Sequence, residues 1–296
     1  MIGFFEGLAT AMITPFSADG SVNYEAFAKL IDLQIEGGAD ALVIAGTTGE
    51  PATMTQDEIE ELMRFSVRYI AGRTKIIFGS GANSTAKAVA ASRKAEEIGA
   101  DGLLVVTPYY NKCTQNGLFE YYKAVHDAVR IPLICYNVPS RTGVNILPAT
   151  MERIASLPRV AGIKEACGNM EQICETIRRI RGKCALYSGD DNLNLPITAI
   201  GGSGLISVVS NLLPADVKKV YTLTKAGRLD EANAAQDKLL PVVDACFCEV
   251  NPIPVKAGAN MLGLNAGTPR GPLTELEEGH KALMRQALEN YGLETV

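Results

Sequence analysis

The sequence predicts an α/β fold, a (β/α)8 TIM barrel followed by a helical C-terminal extension. Eight short apolar segments punctuate the first three quarters of the 296-residue chain. They start roughly 20–35 residues apart, which is the spacing of βα units. Most are rich in Val, Ile and Leu and are bounded by Gly, Pro or Asp, a pattern that favours parallel strands covered on both faces. Eight such units predict a closed barrel.

The eight predicted strands lie at residues 9–14, 41–45, 75–79, 102–107, 132–136, 161–164, 185–188 and 204–209. The segments between them have helical periodicity: Phe27, Leu30 and Ile31 fall on one face of the first. The second opens with Thr55 and Glu58, the pattern of a capping box. A doubly wound open sheet is the alternative, but no Gly-x-Gly-x-x-Gly follows the first strand.

After about residue 223 the pattern changes to helical stretches without a clear strand. We therefore predict two parts: residues 1–226 form the barrel that carries the active site, and residues 227–296 form the helical C-terminal extension. No low-complexity linker separates them, so independent motion is not expected.

Composition excludes several functional classes. The net charge of −5 and the lack of a dense basic cluster argue against a nucleic-acid partner. The sequence contains no run of 18 apolar residues, so no membrane span is expected. No signal peptide is apparent, so a cytoplasmic location is expected. The seven scattered cysteines predict buried free thiols. With only two histidines, neither near a cysteine, no metal or other cofactor is expected.

Lys164 is the residue that points to chemistry, because it lies in an apolar strand of the predicted barrel. Functional groups of such barrels lie at the carboxyl ends of the strands. Burial disfavours the charged amine and lowers its pKa. A pKa of roughly 7–8 would leave some 10–50% of the lysine neutral near pH 7, able to attack a ketone and form an iminium ion. The alternative is a lysine that reaches the strand end or pairs with an acid.

Four other side chains follow predicted strands. Thr47 and Thr48 sit between glycines, where a turn can bind a small anion or carry ordinary hydroxyl caps. Tyr136 is either a proton relay or a core tyrosine. Arg141 either grips a carboxylate in two-point fashion or is a solvated loop residue. The glycine-rich segment 201–204 fits either a phosphate cradle or a tight turn.

Three motifs carry a resemblance to a known family: Gly-Thr-Thr-Gly-Glu at 46–50, Tyr-Asn-Val-Pro-Ser-Arg-Thr-Gly at 136–143, and Ile-Lys-Glu at 163–165. Together they resemble the dihydrodipicolinate synthase / N-acetylneuraminate lyase family of Schiff-base barrels, over essentially the whole chain. The resemblance implies that Lys164 condenses with pyruvate and that the resulting enamine attacks L-aspartate 4-semialdehyde. Cyclisation would then give the heterocycle of lysine and diaminopimelate synthesis.

The resemblance also implies roles for individual residues. Thr47, Tyr136 and Tyr110 would form a proton relay, with Tyr110 contributed across a subunit interface. The pyruvate carboxylate would rest on Thr47 and Thr48. The remaining implied substrate contacts are Gly189 and Ile206 beside the pyruvate and Arg141 on the semialdehyde's carboxylate. A homotetramer built from tight dimers is expected, although some family members stop at the dimer.

One departure from the family concerns regulation. Members inhibited by lysine place a glutamate and histidines around an interface pocket near residues 81, 83 and 109. Here Lys87 stands in place of the glutamate, and Gln56 and Ile59 stand in place of histidines. Because a cation would repel the ammonium group of lysine, we predict weak or absent lysine feedback.

Two alternatives to the condensation remain at this stage. The first is a lyase or aldolase that cleaves N-acetylneuraminate or a 2-keto-3-deoxy sugar acid; Arg141 and the threonine pair disfavour it. The second is a non-catalytic barrel that binds a keto acid, which would be expected to lose Lys164 or the relay tyrosines.

Overall fold

A computed structural model describes residues 4–296 and contains one closed barrel of eight parallel strands. Each strand pairs with the next along the chain, and β8 pairs with β1. The predicted (β/α)8 barrel is therefore confirmed. The strands are β1 (Gly7–Ala11), β2 (Ala41–Ile44), β3 (Lys75–Gly79), β4 (Gly102–Val106), β5 (Leu133–Asn137), β6 (Val160–Glu165), β7 (Ala185–Ser188) and β8 (Gly204–Ser207).

Helices surround the barrel and continue beyond it. Those that follow the strands are α1 (Tyr24–Glu36), α2 (Gln56–Ile70), α3 (Thr85–Ile98), α4 (Gln115–Ala128), α5 (Pro139–Thr142), α6 (Pro148–Ile154), α7 (Met170–Ile180), α8 (Asn194–Ala199) and α9 (Pro214–Lys225). Three more complete the chain: α10 (Leu229–Cys246), α11 (Ile253–Met261) and α12 (Glu278–Tyr291). Among residues 4–296, no helix combines the length and apolarity needed to cross a bilayer.

The predicted strand bounds are wrong by two or more residues at β1 and at the end of β8, and the other bounds agree within one residue. The ladder of β1 stops at Ala11, although Met12 and Ile13 are as buried as the strand itself. The amide of Ile13 donates to the side chain of Asn211 at 3.1 Å instead of continuing the ladder. Beyond β8, the amide of Val208 likewise donates to Asp191 at 3.0 Å. An apolar sequence indicates burial rather than strand pairing, and here the buried segment extends past the last residue of each strand.

Alternate residues of each strand point into the barrel, where they form an interior cluster distinct from the larger layer between strands and helices. At the amino-terminal end of the barrel, Phe5 stacks on Tyr187 with ring centroids 4.2 Å apart. The Tyr187 hydroxyl donates to the carbonyl of Phe5 at 2.9 Å. Both rings are buried members of the interior cluster. The carboxyl ends of the strands form the mouth.

The helices follow the sequence pattern closely. Phe27, Leu30 and Ile31 of α1 are fully buried, as predicted. The capping box at the start of α2 is confirmed: the Glu58 amide donates to Thr55 Oγ1 at 3.2 Å, and the Thr55 amide donates to Glu58 Oε2 at 2.9 Å. These two bonds fix where α2 begins.

The boundary predicted at residue 226 falls between α9 and α10, and the predicted helical extension is present as α10–α12. The extension reaches back to the barrel mouth. Lys256 in α11 is fully buried and donates to Glu50, directly after the loop that follows β2, at 2.8 Å. The division into two units at this boundary stays a prediction.

All seven cysteines are free, as predicted. Their predicted burial is only partly right. Cys135, Cys184 and Cys246 are buried, whereas Cys174 is exposed on α7. The residues at 201–204 form a turn in which Gly204 has φ 153°, and a Cβ there would lie 2.0 Å from the carbonyl oxygen of Gly7. Close packing of β8 on β1 accounts for that glycine.

Candidate active site

Lys164 lies inside the barrel near the mouth. It occupies β6 between Tyr136 of β5 and Tyr187 of β7, which are its partners in register. The side chain is only 4% exposed, and its Nζ lies 4.4 Å from the centroid of the Tyr136 ring. Strand alternation explains this placement, because Gly162 and Lys164 face inward while Ile163 and Glu165 face the helices.

Burial sets the protonation of Lys164. Desolvation lowers the pKa of the amine to about 8, while the carboxylates of Asp190 and Asp191 oppose the shift by favouring the charged form. At pH 7 an amine with this pKa is about one-tenth neutral, compared with about one in 2,500 for an unperturbed lysine. The side chain is therefore available as a nucleophile near neutral pH.

Two acidic residues directly after β7 complete the electrostatics of the site. Burial raises the pKa of Asp190 to about 6, and the Lys164 charge partly offsets this. Asp191 accepts hydrogen bonds from Ser207 Oγ and from the Val208 amide, and burial raises its pKa as well. Sequence reasoning did not select either residue. Their position at the carboxyl end of a barrel strand is the signal that could have found them.

Gly189 leaves space beside the amine. A Cβ at this position would lie 3.1 Å from Lys164 Cε and 2.7 Å from the Ala166 Cβ, so any larger residue would force the lysine to move. Ile206 of β8 is fully buried and belongs to the interior cluster. Gly189 and Ile206, two of the four predicted substrate contacts, therefore belong to the barrel, and Gly189 borders Lys164 directly.

Tyr136 is protonated at neutral pH. It is 7% exposed, and burial raises the pKa of its phenol to about 12, so the hydroxyl keeps its proton. Within residues 4–296 no hydrogen bond joins it to the hydroxyls of Thr47 or Tyr110. Thr47 is exposed, and Tyr110 is 92% exposed with φ 67°. The relay roles of these three residues stay predictions.

Thr48 and Arg141 are joined through a residue that sequence reasoning did not assign to the site. Thr48 is buried, and its Oγ1 accepts a hydrogen bond from Asn251 Nδ2 at 3.0 Å. Arg141 Nη2 donates to the backbone carbonyl of the same Asn251 at 3.1 Å. Asn251 precedes α11 in the C-terminal extension. The extension therefore contributes to the mouth of the barrel.

Hydrogen bonds from Thr14 and Lys256 stabilise the loop that carries Thr47 and Thr48. Residues 47–49 form a single 3-10 turn, and Thr14 Oγ1 donates to the Gly49 carbonyl at 2.7 Å. Glu50 follows in the left-handed conformation with φ 57° and pairs with the buried Lys256. The backbone amides of Gly49 and Glu50 are already used within this turn. Among residues 4–296, the backbone amides of Thr47 and Thr48 make no hydrogen bond, so these two amides and the two threonine hydroxyls are the donors left for an anion.

Glu165 lies behind the site, on the outer face of β6. It is fully buried, and its Oε1 accepts from Asn137 Nδ2 at 2.8 Å and from the Cys167 amide at 3.0 Å. Its Oε2 has no hydrogen-bond partner among residues 4–296. Burial raises the pKa of Glu165 to about 7. The Asn137–Glu165 bond fixes β5 against β6 one residue beyond Tyr136 and Lys164.

One cluster of potential metal ligands occurs within residues 4–296. Atoms of Glu249, Glu277 and His280 lie within 4.8 Å of one another at the start of α12. Glu249 Oε1 already accepts from the Glu277 amide at 3.0 Å and contacts His280 Nδ1 at 2.7 Å. These contacts explain the cluster as a cap of α12.

The residues predicted to alter lysine regulation lie around α2 and α3. Lys87 on α3 and Gln56 on α2 are exposed, whereas Ile59 is half-buried and packs against the core. Tyr109 is 40% exposed. Weak or absent lysine feedback stays a prediction.

Comparison with known proteins agrees with this geometry. Residues 4–291 match the dihydrodipicolinate synthetase family. The 4-hydroxy-tetrahydrodipicolinate synthase of Caldicellulosiruptor bescii is 48% identical over 292 residues, 99% of each chain. The chloride-inhibited dihydrodipicolinate synthase of Acinetobacter baumannii, solved in complex with pyruvate, superposes with a TM-score of 0.96 at 39% identity, covering 98% of this chain and 99% of that one. The Cyanidioschyzon merolae enzyme, solved with lysine bound, gives 0.96 at 38% identity over the same shares. The chain is a member of the dihydrodipicolinate synthetase family.

Proposed function

We propose that the protein condenses pyruvate with L-aspartate 4-semialdehyde to give 4-hydroxy-tetrahydrodipicolinate, a step of lysine and diaminopimelate synthesis. The observation that carries this proposal is Lys164, a buried amine whose pKa is about 8, placed against Tyr136 in a chain of this family. The names of the relatives support the same activity.

The first step forms an imine. The neutral Lys164 amine attacks the ketone carbon of pyruvate, and the resulting carbinolamine loses its hydroxyl group as water. Tyr136 supplies the proton for this loss, because its ring lies beside the amine and its phenol keeps its proton at neutral pH. The iminium ion withdraws electrons from the adjacent methyl group, which loses a proton to give the enamine.

The second step forms the carbon–carbon bond. The enamine carbon attacks the aldehyde carbon of the semialdehyde, and the aldehyde oxygen takes up a proton to become a hydroxyl group. The substrate's own amino group then attacks the iminium carbon and displaces the Lys164 amine. One water molecule leaves in total, and the lysine is regenerated without any redox reagent.

The carboxylates of the two substrates have separate anchors in this proposal. Thr47 and Thr48 receive the pyruvate carboxylate within the barrel mouth, with Gly189 and Ile206 alongside. Arg141 receives the carboxylate of the semialdehyde. A charge-assisted contact of this kind contributes about 1.5–3 kcal/mol. The arginine favours a small charged aldehyde over the neutral sugar that an N-acetylneuraminate lyase releases.

Borohydride trapping tests the proposal. Reduction in the presence of pyruvate is expected to inactivate the enzyme and to label the peptide containing Lys164, while Lys164→Ala is expected to stay unlabelled and inactive. Exposed Lys29 on α1 is the control, because Lys29→Met should remain labelled at Lys164. Full condensation activity in Lys164→Ala would overturn the mechanism. Faster cleavage of N-acetylneuraminate than condensation would favour the lyase alternative.

We also propose that the protein is a cytoplasmic homo-oligomer, a tetramer built as a dimer of dimers. Tyr110 is 92% and Tyr109 40% exposed, which supports a second chain covering this surface. Seven free thiols support a reducing compartment. Sedimentation of the purified protein is expected to give four chains, and a monomer that is fully active would contradict the assignment of Tyr110 to a partner's site.

A further inference from the structure

We infer that Asn251 is a positioning residue that aims the Thr48 hydroxyl at the carboxylate of bound pyruvate. This inference rests on the proposed function. Asn251 is only 6% exposed and reaches the barrel mouth from the C-terminal extension. Its side chain contacts Thr48 and its backbone carbonyl contacts Arg141. One residue outside the barrel therefore touches both proposed carboxylate anchors.

The direction of the Thr48 hydrogen bond carries the inference. A hydroxyl group has one proton to donate and two lone pairs, whereas an amide nitrogen only donates. Asn251 Nδ2 donates to Thr48 Oγ1 at 3.0 Å, so this bond uses a lone pair of the hydroxyl. Within residues 4–296 the Thr48 hydroxyl makes no other hydrogen bond. Its proton is therefore left for a further acceptor, which an anion at the turn supplies.

The environment makes this direction consequential. Thr48 is 3% exposed, so solvent competes little for its hydroxyl. The contact also preorganises the site, because a hydroxyl that is already an acceptor need not break a bond to an internal oxygen before it binds the substrate. Without the amide, the hydroxyl would be free to rotate toward other nearby acceptors.

The contact with Arg141 allows the effects on pyruvate binding and on semialdehyde binding to be told apart. Arg141 Nη2 binds the main-chain oxygen of Asn251, which every substitution at this position retains. Changing the side chain is therefore expected to weaken pyruvate binding while leaving the anchor of the semialdehyde in place. A general distortion of the mouth would affect both substrates.

The experiment compares Asn251→Ala and Asn251→Asp with the unaltered enzyme. The half-saturating pyruvate concentration, from steady-state kinetics and from borohydride inactivation, is expected to rise about tenfold in Asn251→Ala. Asn251→Asp, which keeps the size of the side chain, is expected to raise it further, because a carboxylate accepts the Thr48 proton and repels the substrate. The KM for the semialdehyde is expected to stay within about twofold in Asn251→Ala.

Non-additivity tests the route through Thr48. Thr48→Val removes the hydroxyl that Asn251 orients, so adding Asn251→Ala to Thr48→Val should raise the pyruvate KM no further. Asn260→Ala is the matched control. That asparagine lies in the same extension and bonds only the backbone of Gly267, so its loss should leave pyruvate binding unchanged.

The outcomes separate this inference from the proposed function. If the unaltered enzyme is not inactivated by borohydride with pyruvate, the proposed function fails. If it is inactivated, but Asn251→Ala and Asn251→Asp bind pyruvate as it does, the inference about Asn251 is overturned. Equal losses for pyruvate and semialdehyde in the folded Asn251→Ala variant would also overturn it.

Discussion

Lys164 experiences two opposing effects. Burial in the barrel favours the neutral amine, while the carboxylates of Asp190 and Asp191 favour the ammonium form. The balance leaves the pKa at about 8, close enough to neutral pH for both forms to be populated. Asp191 is held by Ser207 and Val208, whereas the Asp190 carboxylate makes no hydrogen bond within residues 4–296. A substitution of Asp190 therefore removes the negative charge beside Lys164 without removing a side-chain hydrogen bond.

We predict that Asp190→Asn shifts imine formation to lower pH. Removing the carboxylate removes a charge that raises the pKa of Lys164, so this pKa should fall below its present value of about 8. The rate of borohydride-trapped imine formation, measured from pH 7 to 10, should reach its plateau at a lower pH. Asp40→Asn is the control, since Asp40 bonds Lys218 and the Leu8 amide near the start of β1. An unchanged or rising midpoint for Asp190→Asn would contradict the electrostatic account.

The raised pKa of Glu165 predicts that the stability of the protein depends on pH. Its folded-state pKa is about 7 against an ordinary value of 4.5, so between these values the folded protein holds a proton that the unfolded chain releases. The stability that it contributes is present below pH 4.5 and is lost as the pH rises through about 7.

Glu165→Gln should remove this loss. Its stability relative to the original protein should improve between pH 5 and pH 8, by an amount on the order of 3 kcal/mol at most. Urea unfolding at one protein concentration would measure it. The amide oxygen of the variant can still accept from Asn137 and Cys167, so the comparison isolates the titration. A stability difference that does not vary with pH would show that Glu165 does not titrate in this range.

At the scale of elements, α11 is tied to the loop after β2 by a buried ion pair. Lys256 is fully buried and Glu50 is 3% exposed, with 2.8 Å between Nζ and Oε1. Lys256 also donates to the carbonyl of Thr14 at 3.0 Å, and Glu50 Oε2 accepts from the Arg270 amide at 2.9 Å. The extension therefore supports the loop on which Thr47 and Thr48 lie.

We predict that Lys256→Met destabilises the protein by about 3–5 kcal/mol, because it leaves a buried carboxylate without its partner. The double variant Lys256→Met with Glu50→Gln should lose less, since no unpaired charge remains. Denaturant unfolding measures both. Lys29→Met is the control: its partner Glu25 is exposed, so no measurable change is expected. A Lys256→Met protein as stable as the original would contradict the role assigned to this pair.

Elements with a strong local pattern were predictable from sequence. The apolar strands, the capping box of α2 and the helical character after residue 226 all appear in the structure. The end of β1 was not predictable, because Ile13 is as buried as the strand but donates its amide to the Asn211 side chain instead of to a neighbouring strand. The Glu50–Lys256 pair was not predictable either, since residues so far apart in sequence are brought together only by packing.

The same limit applies to the site. Lys164 and Tyr136 could be selected because each is polar or aromatic at the carboxyl end of an apolar strand. Asn251 could not be placed from its surroundings alone, since it lies in a proline-containing loop of the extension. Its contacts with Thr48 and Arg141 become visible only in three dimensions.

At the scale of the whole molecule, regulation should differ from that of lysine-binding relatives. Lys87 on α3 is exposed, at the position where the family resemblance implies a glutamate in members that lysine inhibits. We predict little or no inhibition of the enzyme by lysine. Lys87→Glu should strengthen lysine binding by about tenfold or more, because repulsion of the ligand's ammonium group is replaced by attraction.

Titration calorimetry and inhibition assays would measure this effect. Lys94→Glu is the matched control, because it reverses a charge on the same helix next to Glu97 rather than at the proposed pocket. Micromolar inhibition of the original enzyme by lysine would show that Lys87 does not prevent binding.

The stacked pair of Phe5 and Tyr187 has a consequence for the order of events. Because these buried rings occupy the interior at the amino-terminal end of the barrel, we expect both substrates to reach the amine from the opposite end. The water released when the imine forms should therefore leave through the mouth of the barrel, where the aldehyde binds next. We therefore expect the keto acid to bind first and deepest and the aldehyde to follow it. The cyclic product should leave before another keto acid reaches Lys164.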